Sequence, residues 1–210
     1  MYRLLHTLVI LLLLTGTTFA ATLEIDGGIT MELSVPDGWT LYKEAPIALL
    51  EEAAEHIAHE AAEQGASPTH EQLIDAARKR MAANEAILYH EQSGAHLDID
   101  FSTLDEGQKA PSSRTLRKSA KYAAQSLEGE EGVSDVAWDV DRIKIRGARD
   151  AYLLSADYKH HDHPVRFLGV IGFVPEQWFF FYYTDPLKAE GAYAEMQAVI
   201  DSILVRVVQK

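Results

Sequence analysis

The chain has 210 residues, of which 32 are acidic and 19 are basic, so its formal net charge at pH 7 is −13. This excess of negative charge repels phosphate backbones and anionic lipid headgroups, which argues against nucleic acid as a partner. The sequence contains no cysteine. Disulfides, a thiolate nucleophile and a cysteine-ligated zinc site are therefore excluded, and stability must come from packing.

The first 20 residues have the pattern of a cleavable secretory signal peptide. Arg3 precedes an apolar run over 4–14, and the polar break that follows ends in Thr18-Phe19-Ala20. The run is well short of the ~20 apolar residues that span a bilayer, and small residues stand at positions −3 and −1 of a cut after Ala20. We therefore predict a mature chain over 21–210 that is periplasmic or secreted and has no stable membrane insertion. Loss of Arg3 leaves 18 basic and 32 acidic side chains, a net charge of −14.

The mature chain opens with a predicted β-hairpin, because apolar and polar residues alternate over 23–25 and 29–35 around Gly27-Gly28. A turn at Pro36-Asp37-Gly38 then leads into a third short strand over 39–43.

The apolar residues next recur about every 3.6 residues and no longer every second residue, which predicts a helix over 46–63 that ends at Gly65. A second helix begins at Ser67-Pro68-Thr69, with Pro68 in its first turn and basic residues at its C-terminal end. The two helices form a predicted helical hairpin over 46–83. Their inward residues are Leu50, Ala54, Ile57 and Ala61 in the first helix, and Leu73, Ile74, Ala77 and Met81 in the second.

The rest of the chain predicts a second β-hairpin, a third helix opened by Pro111-Ser112-Ser113, four further strands and a last helix capped by Asp185-Pro186. Short turns join the strands, which indicates a mostly antiparallel sheet. The hairpin strands cover 86–91 and 96–103, and the later strands cover 136–145, 151–159, 165–174 and 178–184. The inward residues are Leu116, Ala120, Ala123 and Leu127 in the third helix, and Tyr193, Met196, Ile200 and Ile203 in the last.

These elements predict an α+β fold, in which a mostly antiparallel sheet is sandwiched between helices and the helical hairpin is added near the N-terminus. The length of the mature chain suits a single domain over 21–210.

Two segments resemble the Mog1/PsbP-like α+β family. Residues 31–39 are similar to the family's first hairpin, a strand that runs into a Pro-x-Gly-Trp turn, and the aromatic strand with its Thr-Asp-Pro step over 178–186 resembles the family's last strand. The helix that closes on 200–203 is similar to its last helix. The resemblance implies an antiparallel sheet between helices, with the hairpin over 46–83 as an insertion. Since members of the family bind partners or assist assembly of larger complexes, it also implies a non-catalytic module.

Two histidine clusters are candidate metal sites. His160, His161 and His163 fall in a predicted turn between two strands, where alternation would point His161 and His163 the same way. Imidazoles suit Zn²⁺, Cu²⁺ or Ni²⁺. His56 and His59 are i, i+3 neighbours on the first helix, but a His-Glu-x-x-His hydrolytic motif is missing. In both places the alternative is a polar surface exposed to water.

A basic stripe on the third helix is the candidate partner-binding site. Arg114, Arg117, Lys118 and Lys121 share one helical face in an otherwise acidic chain. The stripe suits an acidic protein partner or an anion. The alternative is a solvated face balanced by neighbouring acids.

Catalysis has less support in the sequence, which has no Gly-x-Ser-x-Gly elbow and no Gly-rich phosphate loop before a helix. His90, His96, Asp98 and Asp100 are a scattered set that converges only if the fold brings its members together. The tryptophans and the Phe-Tyr run over 178–183 favour a core over a ligand pocket.

We therefore expect no enzyme and no resident cofactor. An exported, non-catalytic binding or assembly-accessory protein of the cell envelope ranks first. A periplasmic metal-binding protein that uses the histidine clusters is the alternative, and a hydrolase without a recognised motif ranks third.

Cleavage of the predicted signal peptide is directly measurable. When the full chain is made in a host with a general secretory pathway, we expect the accumulated protein to begin at Ala21, as determined by intact-mass and N-terminal peptide analysis. An Ala20→Arg variant, which puts a large charged residue at position −1, should accumulate as the uncut precursor. An unprocessed wild-type chain in the membrane fraction would contradict the prediction.

Overall fold

A computed structural model of the protein describes residues 18–186 and 191–207, and these ranges contain ten strands and four α-helices. The helices are α1 (Ile47–Glu63), α2 (His70–Met81), α3 (Ser113–Ser126) and α4 (Ala192–Ser202). The strands are β1 (Phe19–Ile25), β2 (Ile29–Val35), β3 (Trp39–Tyr42), β4 (Ala86–His90), β5 (His96–Thr103), β6 (Val133–Ile143), β7 (Asp150–His160), β8 (His163–Val174), β9 (Gln177–Asp185) and β10 (Leu204–Val207). Within these ranges, no helix combines the length and the apolar character that crossing a membrane requires.

The strands form two sheets in which all neighbours are antiparallel. The large sheet has the order β3-β4-β5-β9-β8-β7-β6, and the small sheet has the order β1-β2-β10. The predicted α+β fold with a mostly antiparallel sheet is confirmed. Neither β10 nor the separate small sheet was predicted, because a four-residue strand after a helix carries too short a pattern.

The main core lies between the two sheets. One face of the large sheet packs against the small sheet and α4, and Phe179, Phe181 and Tyr183 of β9 are fully buried there. The other face of β6, β7 and β8 is covered by α3, whose Leu116, Ala120 and Ala124 are buried. Helices therefore lie on both faces of the large sheet.

The α1–α2 hairpin has its own apolar seam, which includes the buried Leu50, Ala54 and Ala77. Thr69 is the N-cap of α2 and forms a capping box with Gln72, so Pro68 lies before the helix and not in its first turn. This correction has a simple cause: a Thr side chain satisfies a free N–H group at the helix start, which Pro cannot do.

Two predicted details of the later helices need correction. Ala123 packs against the core beneath α3 as predicted but is only half-buried, whereas Ala124, absent from the prediction, is fully buried like Leu116 and Ala120, because the stripe follows steps of four from Leu116. Asp185 does not cap α4, since it ends β9 and is fully buried, and Gly191 occupies the N-cap position of α4.

Most of the predicted signal peptide, residues 1–17, lies outside the described residues. Phe19 and Ala20 are described and begin β1, where they pair with Val35 and Ser34. Cleavage after Ala20 leaves the other five residues of β1 paired with β2.

Close packing at Gly172 of β8 makes a stability prediction. Gly172 pairs with Phe179, and a Cβ at this position would overlap the Phe179 ring. Because Phe179 is fully buried and cannot move aside, Gly172→Ala should lower the free energy of unfolding by about 2 kcal/mol, the usual cost of overpacking a core. Urea denaturation measures the change. Gly129→Ala is the control, since no atom lies within 4 Å of its Cβ position, and equal effects of the two variants would contradict the prediction.

Candidate functional site

The fold brings the two histidine clusters together. His56 and His59 lie on adjacent turns of α1, and His160 and His161 lie at the turn between β7 and β8. The ring centres of His56 and His160 are 5.6 Å apart, those of His59 and His161 are 5.9 Å apart, and those of His160 and His161 are 4.4 Å apart. The four side chains therefore form one group, which we call the histidine cluster.

The β7–β8 turn places its histidines differently from the prediction. His160 and His163 are cross-strand partners that close a two-residue turn. His161 and Asp162 occupy the turn with φ values of 48° and 68°, as a type I′ turn requires. Strand alternation therefore does not reach His161, which is why His161 and His163 do not form a ligand pair on one strand face.

The loop before β6 fixes His161 in place. The backbone N–H of His161 donates a hydrogen bond to the carbonyl of Gly132 at 2.9 Å. A Cβ at Gly132 would lie 2.5 Å from Cε1 of His161, so the imidazole ring occupies the space that a side chain would fill. Gly132 went unnoticed in the sequence because only the packed structure shows what its missing side chain makes room for.

The surroundings of His160 favour its neutral imidazole form. Burial lowers the pKa of His160, and the neighbouring rings of His161, His56 and His163 lower it further. Both effects favour the unprotonated imidazole of His160, which is the form that binds metals. Nε2 of His59 lies 3.4 Å from a carboxylate oxygen of Glu63. In the described part of the chain, no three His, Asp or Glu side chains are already arranged to hold a metal ion.

The basic stripe faces solvent along α3. Arg114, Arg117, Lys118 and Lys121 are all exposed, on the side opposite the buried Leu116. None of the four takes part in an ion pair found among the described residues. The alternative interpretation was that neighbouring acids neutralise the basic stripe. Among the described residues, no acid does so through an ion pair.

Tyr122 extends the basic stripe, and sequence reasoning missed it. Its side chain is 58% exposed, and the Lys118 ammonium lies 5.2 Å from the ring centre. An exposed aromatic residue four positions after a lysine is a signal that was present in the sequence. We call Arg114, Arg117, Lys118, Lys121 and Tyr122 together the α3 face.

The scattered hydrolase set is divided between the two faces of the large sheet: His96, Asp98 and Asp100 share one face of β5, as alternation predicts, and His90 lies apart from them. His90 stacks against Trp39 with ring centres 5.1 Å apart, and its Nδ1 lies 2.7 Å from the Ser93 hydroxyl in the β4–β5 turn. Asp98 and Asp100 alternate along β5, opposite Tyr182 and Phe180 of β9. Since Trp39 belongs to the main core, His90 lies on the other side of the large sheet from these two carboxyl groups.

The tryptophans do not line one pocket. Trp39 lies in the main core and donates a hydrogen bond to Glu195 at 2.8 Å, whereas Trp138 donates to Glu128 at 3.0 Å near the end of α3. Trp178 stacks on Phe180 at the edge of a shallow cavity of about 310 Å³. Two of the three are packing residues with satisfied N–H groups, as the sequence favoured.

The carboxyl group of Asp98 on β5 lies where ionisation is unfavourable. Burial raises the pKa of Asp98, His96 opposes the rise, and Asp100 adds to it. One carboxyl oxygen of Asp98 is buried without a hydrogen-bond partner in the described structure. Burial, together with Asp100 and Asp98, raises the pKa of the facing Tyr182 to about 12. This strip therefore disfavours negative charge.

Comparison with solved structures agrees with the topology. The chain is similar to cyanobacterial PsbP (CyanoP) from Synechocystis sp. PCC 6803, with a TM-score of 0.53 and 12% identity over 91% of this chain and 95% of that one. The chain has the Mog1/PsbP-like fold. LpqN, which is involved in cell envelope biogenesis of Mycobacterium tuberculosis, shares this Mog1/PsbP-like fold with a TM-score of 0.51 and 12% identity over 90% of each chain.

The Ran-binding protein Mog1p of Saccharomyces cerevisiae also matches, with a TM-score of 0.44 and 11% identity over 89% of this chain and 95% of that one. No family model and no curated protein matches the sequence. At these identities, the likeness shows the Mog1/PsbP-like fold alone.

Asp98 gives a pH-dependent prediction. Because the pKa of Asp98 is raised in the folded protein, ionisation of this carboxyl group opposes folding. The stability that the protonated carboxyl group contributes is present at low pH and is lost as pH rises through the folded pKa. Asp98→Asn should therefore raise the free energy of unfolding at pH 7, by about 1.4 kcal/mol for each unit by which folding raises the pKa of this carboxyl group, because the buried charge is removed. The gain should vanish near pH 3, where the carboxyl group is protonated in both states.

Urea denaturation at the two pH values tests this expectation. Asp141→Asn, at an exposed position of β6, makes the same chemical change and should shift stability by less than about 0.5 kcal/mol. A gain for Asp98→Asn that persists unchanged at pH 3 would show that charge is not the cause.

Proposed function

We propose that this chain is an exported, non-catalytic binding protein that docks an acidic surface of a cell-envelope protein through the α3 face. The observation that carries the proposal is the exposure on one helix of four cations that form no ion pair among the described residues, in a chain with a net charge of −13. A basic stripe on an acidic protein makes the surface charge asymmetric, and this asymmetry orients an approaching acidic partner.

The α3 face is presented on a rigid support. Ser112 caps the helix by accepting a hydrogen bond from the N–H of Thr115 at 3.1 Å, and the hydroxyls of Ser113 and Tyr152 lie 2.8 Å apart. Together with the buried residues of α3, these contacts fix the helix against β6, β7 and β8. Binding therefore requires little ordering of the backbone, which keeps the entropy cost of association low.

Tyr122 supplies an apolar anchor within the α3 face. Surface charges that remain solvated contribute little affinity by themselves, whereas tyrosine and arginine are the residues that most often dominate binding energy at protein interfaces. The α3 face has both residue types, a tyrosine at Tyr122 and arginines at Arg114 and Arg117. The chemistry suits an acidic protein surface with a pocket for an aromatic ring.

Export and an envelope location rest on separate support. The N-terminal pattern predicts secretion, and LpqN, which has the same fold, is involved in cell envelope biogenesis. The strong negative charge of the rest of the chain disfavours extended polyanions and anionic membranes, because such partners reach beyond one helix face. A protein partner with a local acidic patch fits this charge distribution best.

Charge reversal on the α3 face tests the proposal. A photo-cross-linking amino acid in place of the exposed Gln125, which follows Lys121 and Tyr122 by one turn of α3, should give one dominant protein adduct in cells that make the native partner. Changing Arg114, Arg117, Lys118 and Lys121 to Glu should reduce the adduct by about tenfold or more, since steering effects on association range over about 10–10³. Quantitative blotting and mass spectrometry of the adduct measure the change.

A matched variant controls for net charge. Lys43, Lys79, Lys144 and Arg149 are exposed, and changing them to Glu alters the net charge by the same amount. The adduct should survive in this control. Persistence of the adduct after reversal of the α3 face, or capture of anionic lipid vesicles by wild type in place of a protein, would refute docking of an acidic protein.

A further inference from the structure

The far end of the α1–α2 hairpin meets the rest of the protein at the histidine cluster. Among the described residues, the apolar contact between this hairpin and the large sheet is a small cluster in which Leu49 and Met81 pack near Ile87 and Tyr89. His59 lies ten residues beyond Leu49 along α1, a distance of about 15 Å at 1.5 Å per residue. The histidine cluster is thus a second, distant point of contact between the hairpin and the sheet.

The spacing of neighbouring rings in the histidine cluster suits pairs of ligands on one metal ion, which a change of side-chain rotamers would complete. With metal–nitrogen distances of about 2.0–2.1 Å and tetrahedral angles, two imidazoles on one Zn²⁺ have ring centres roughly 5 Å apart. The three ring pairs that lie next to each other, His56–His160, His160–His161 and His59–His161, have ring-centre separations of 4.4 to 5.9 Å. His56 and His59 are exposed on α1, so rotation of their side chains about χ1 and χ2 is unhindered by core packing and can bring them towards the turn histidines.

The backbone of the β7–β8 turn holds His161 at a positive φ, a conformation that few residue types adopt readily. A type I′ turn is usually built from Asn-Gly, because both central residues need a positive φ. Here His161 and Asp162 adopt these values at some cost in backbone strain. Gly132 leaves room for the imidazole ring of His161, so the loop before β6 also accommodates this side chain.

We propose that His56 and His59 of α1, with His160 and His161 of the β7–β8 turn, form a binding site for one Zn²⁺, Cu²⁺ or Ni²⁺ ion that links the α1–α2 hairpin to the large sheet. All four ligands are imidazoles, which suit these borderline ions better than Mg²⁺ or Ca²⁺. Nε2 of His59 lies 3.4 Å from a carboxylate oxygen of Glu63, an arrangement that resembles the carboxylate support common at metal-bound histidines and would leave Nδ1 for the ion. The site is separate from the α3 face, so it goes beyond the proposed function.

Isothermal titration with each metal tests the site. The full chain, as it accumulates in the producing cell, is purified through a tag without histidine, which is then removed. We expect one ion per chain to bind below micromolar concentration. His56→Ala with His59→Ala, and separately His160→Ala with His161→Ala, should each weaken binding by about 10²–10⁴-fold, because each variant removes one of two linked ligand pairs.

Two further variants separate ligand loss from misfolding. His161→Asn keeps a residue that tolerates a positive φ, so the turn should form at least as well while affinity falls. His70→Ala removes an exposed histidine outside the cluster and should leave affinity unchanged. Absence of sub-micromolar binding to wild type would overturn the proposal. Binding that does not depend on His56 and His59 would also overturn it, since the turn alone would then hold the ion.

Hydrogen exchange tests the link between hairpin and sheet. Added Zn²⁺ should slow amide exchange in the second half of α1 and in the β7–β8 turn of wild type, and should have no effect on the His56→Ala, His59→Ala variant. Protection confined to the turn would refute the link even where an ion binds.

Discussion

The large sheet depends on the packing of β9, because this strand pairs with β5 on one side and β8 on the other. It thereby joins the N-terminal strands to the C-terminal meander. Phe179, Phe181 and Tyr183 fill the main core from one face of β9, while Trp178, Phe180 and Tyr182 stack along the other. A strand with aromatic residues on both faces is stable only when both faces are covered. The small sheet with α4 covers one face, and helices lie over parts of the other.

The helices that cover the large sheet also carry the two candidate sites. α3 buries Leu116, Ala120 and Ala124 against β6, β7 and β8, so its opposite face must point to solvent, and that face carries the cations. The α1–α2 hairpin lies over β3 and β4, and α1 extends from there until its histidines meet the β7–β8 turn. The basic residues and the histidines thus occupy separate places. A change in one is expected to leave the other intact, since distant sites contribute independently.

Local pattern predicted much of the fold correctly. Alternation around Gly27-Gly28 predicted the first hairpin, and the 3.6-residue spacing predicted both helices of the α1–α2 hairpin. The misses are places where tertiary contacts decide. Asp185 resembles a helix cap beside Pro186, yet it ends β9 in a buried position beside the Tyr183 hydroxyl, 3.2 Å away. β10 forms because Val205 pairs with Met31, a partner far away in sequence.

The sequence by itself determined the fold class, the cations of α3 and the identity of the candidate ligands, because periodicity and residue chemistry are local properties. Only the tertiary structure decided that His56 and His59 lie beside His160 and His161, since about 100 residues separate the pairs and no short-range pattern encodes their approach. It also decided that His90 lies away from Asp98 and Asp100, because neighbouring strands place side chains on either face according to register. Register and packing are set by the whole core, which is why these proximities appear only in the folded chain.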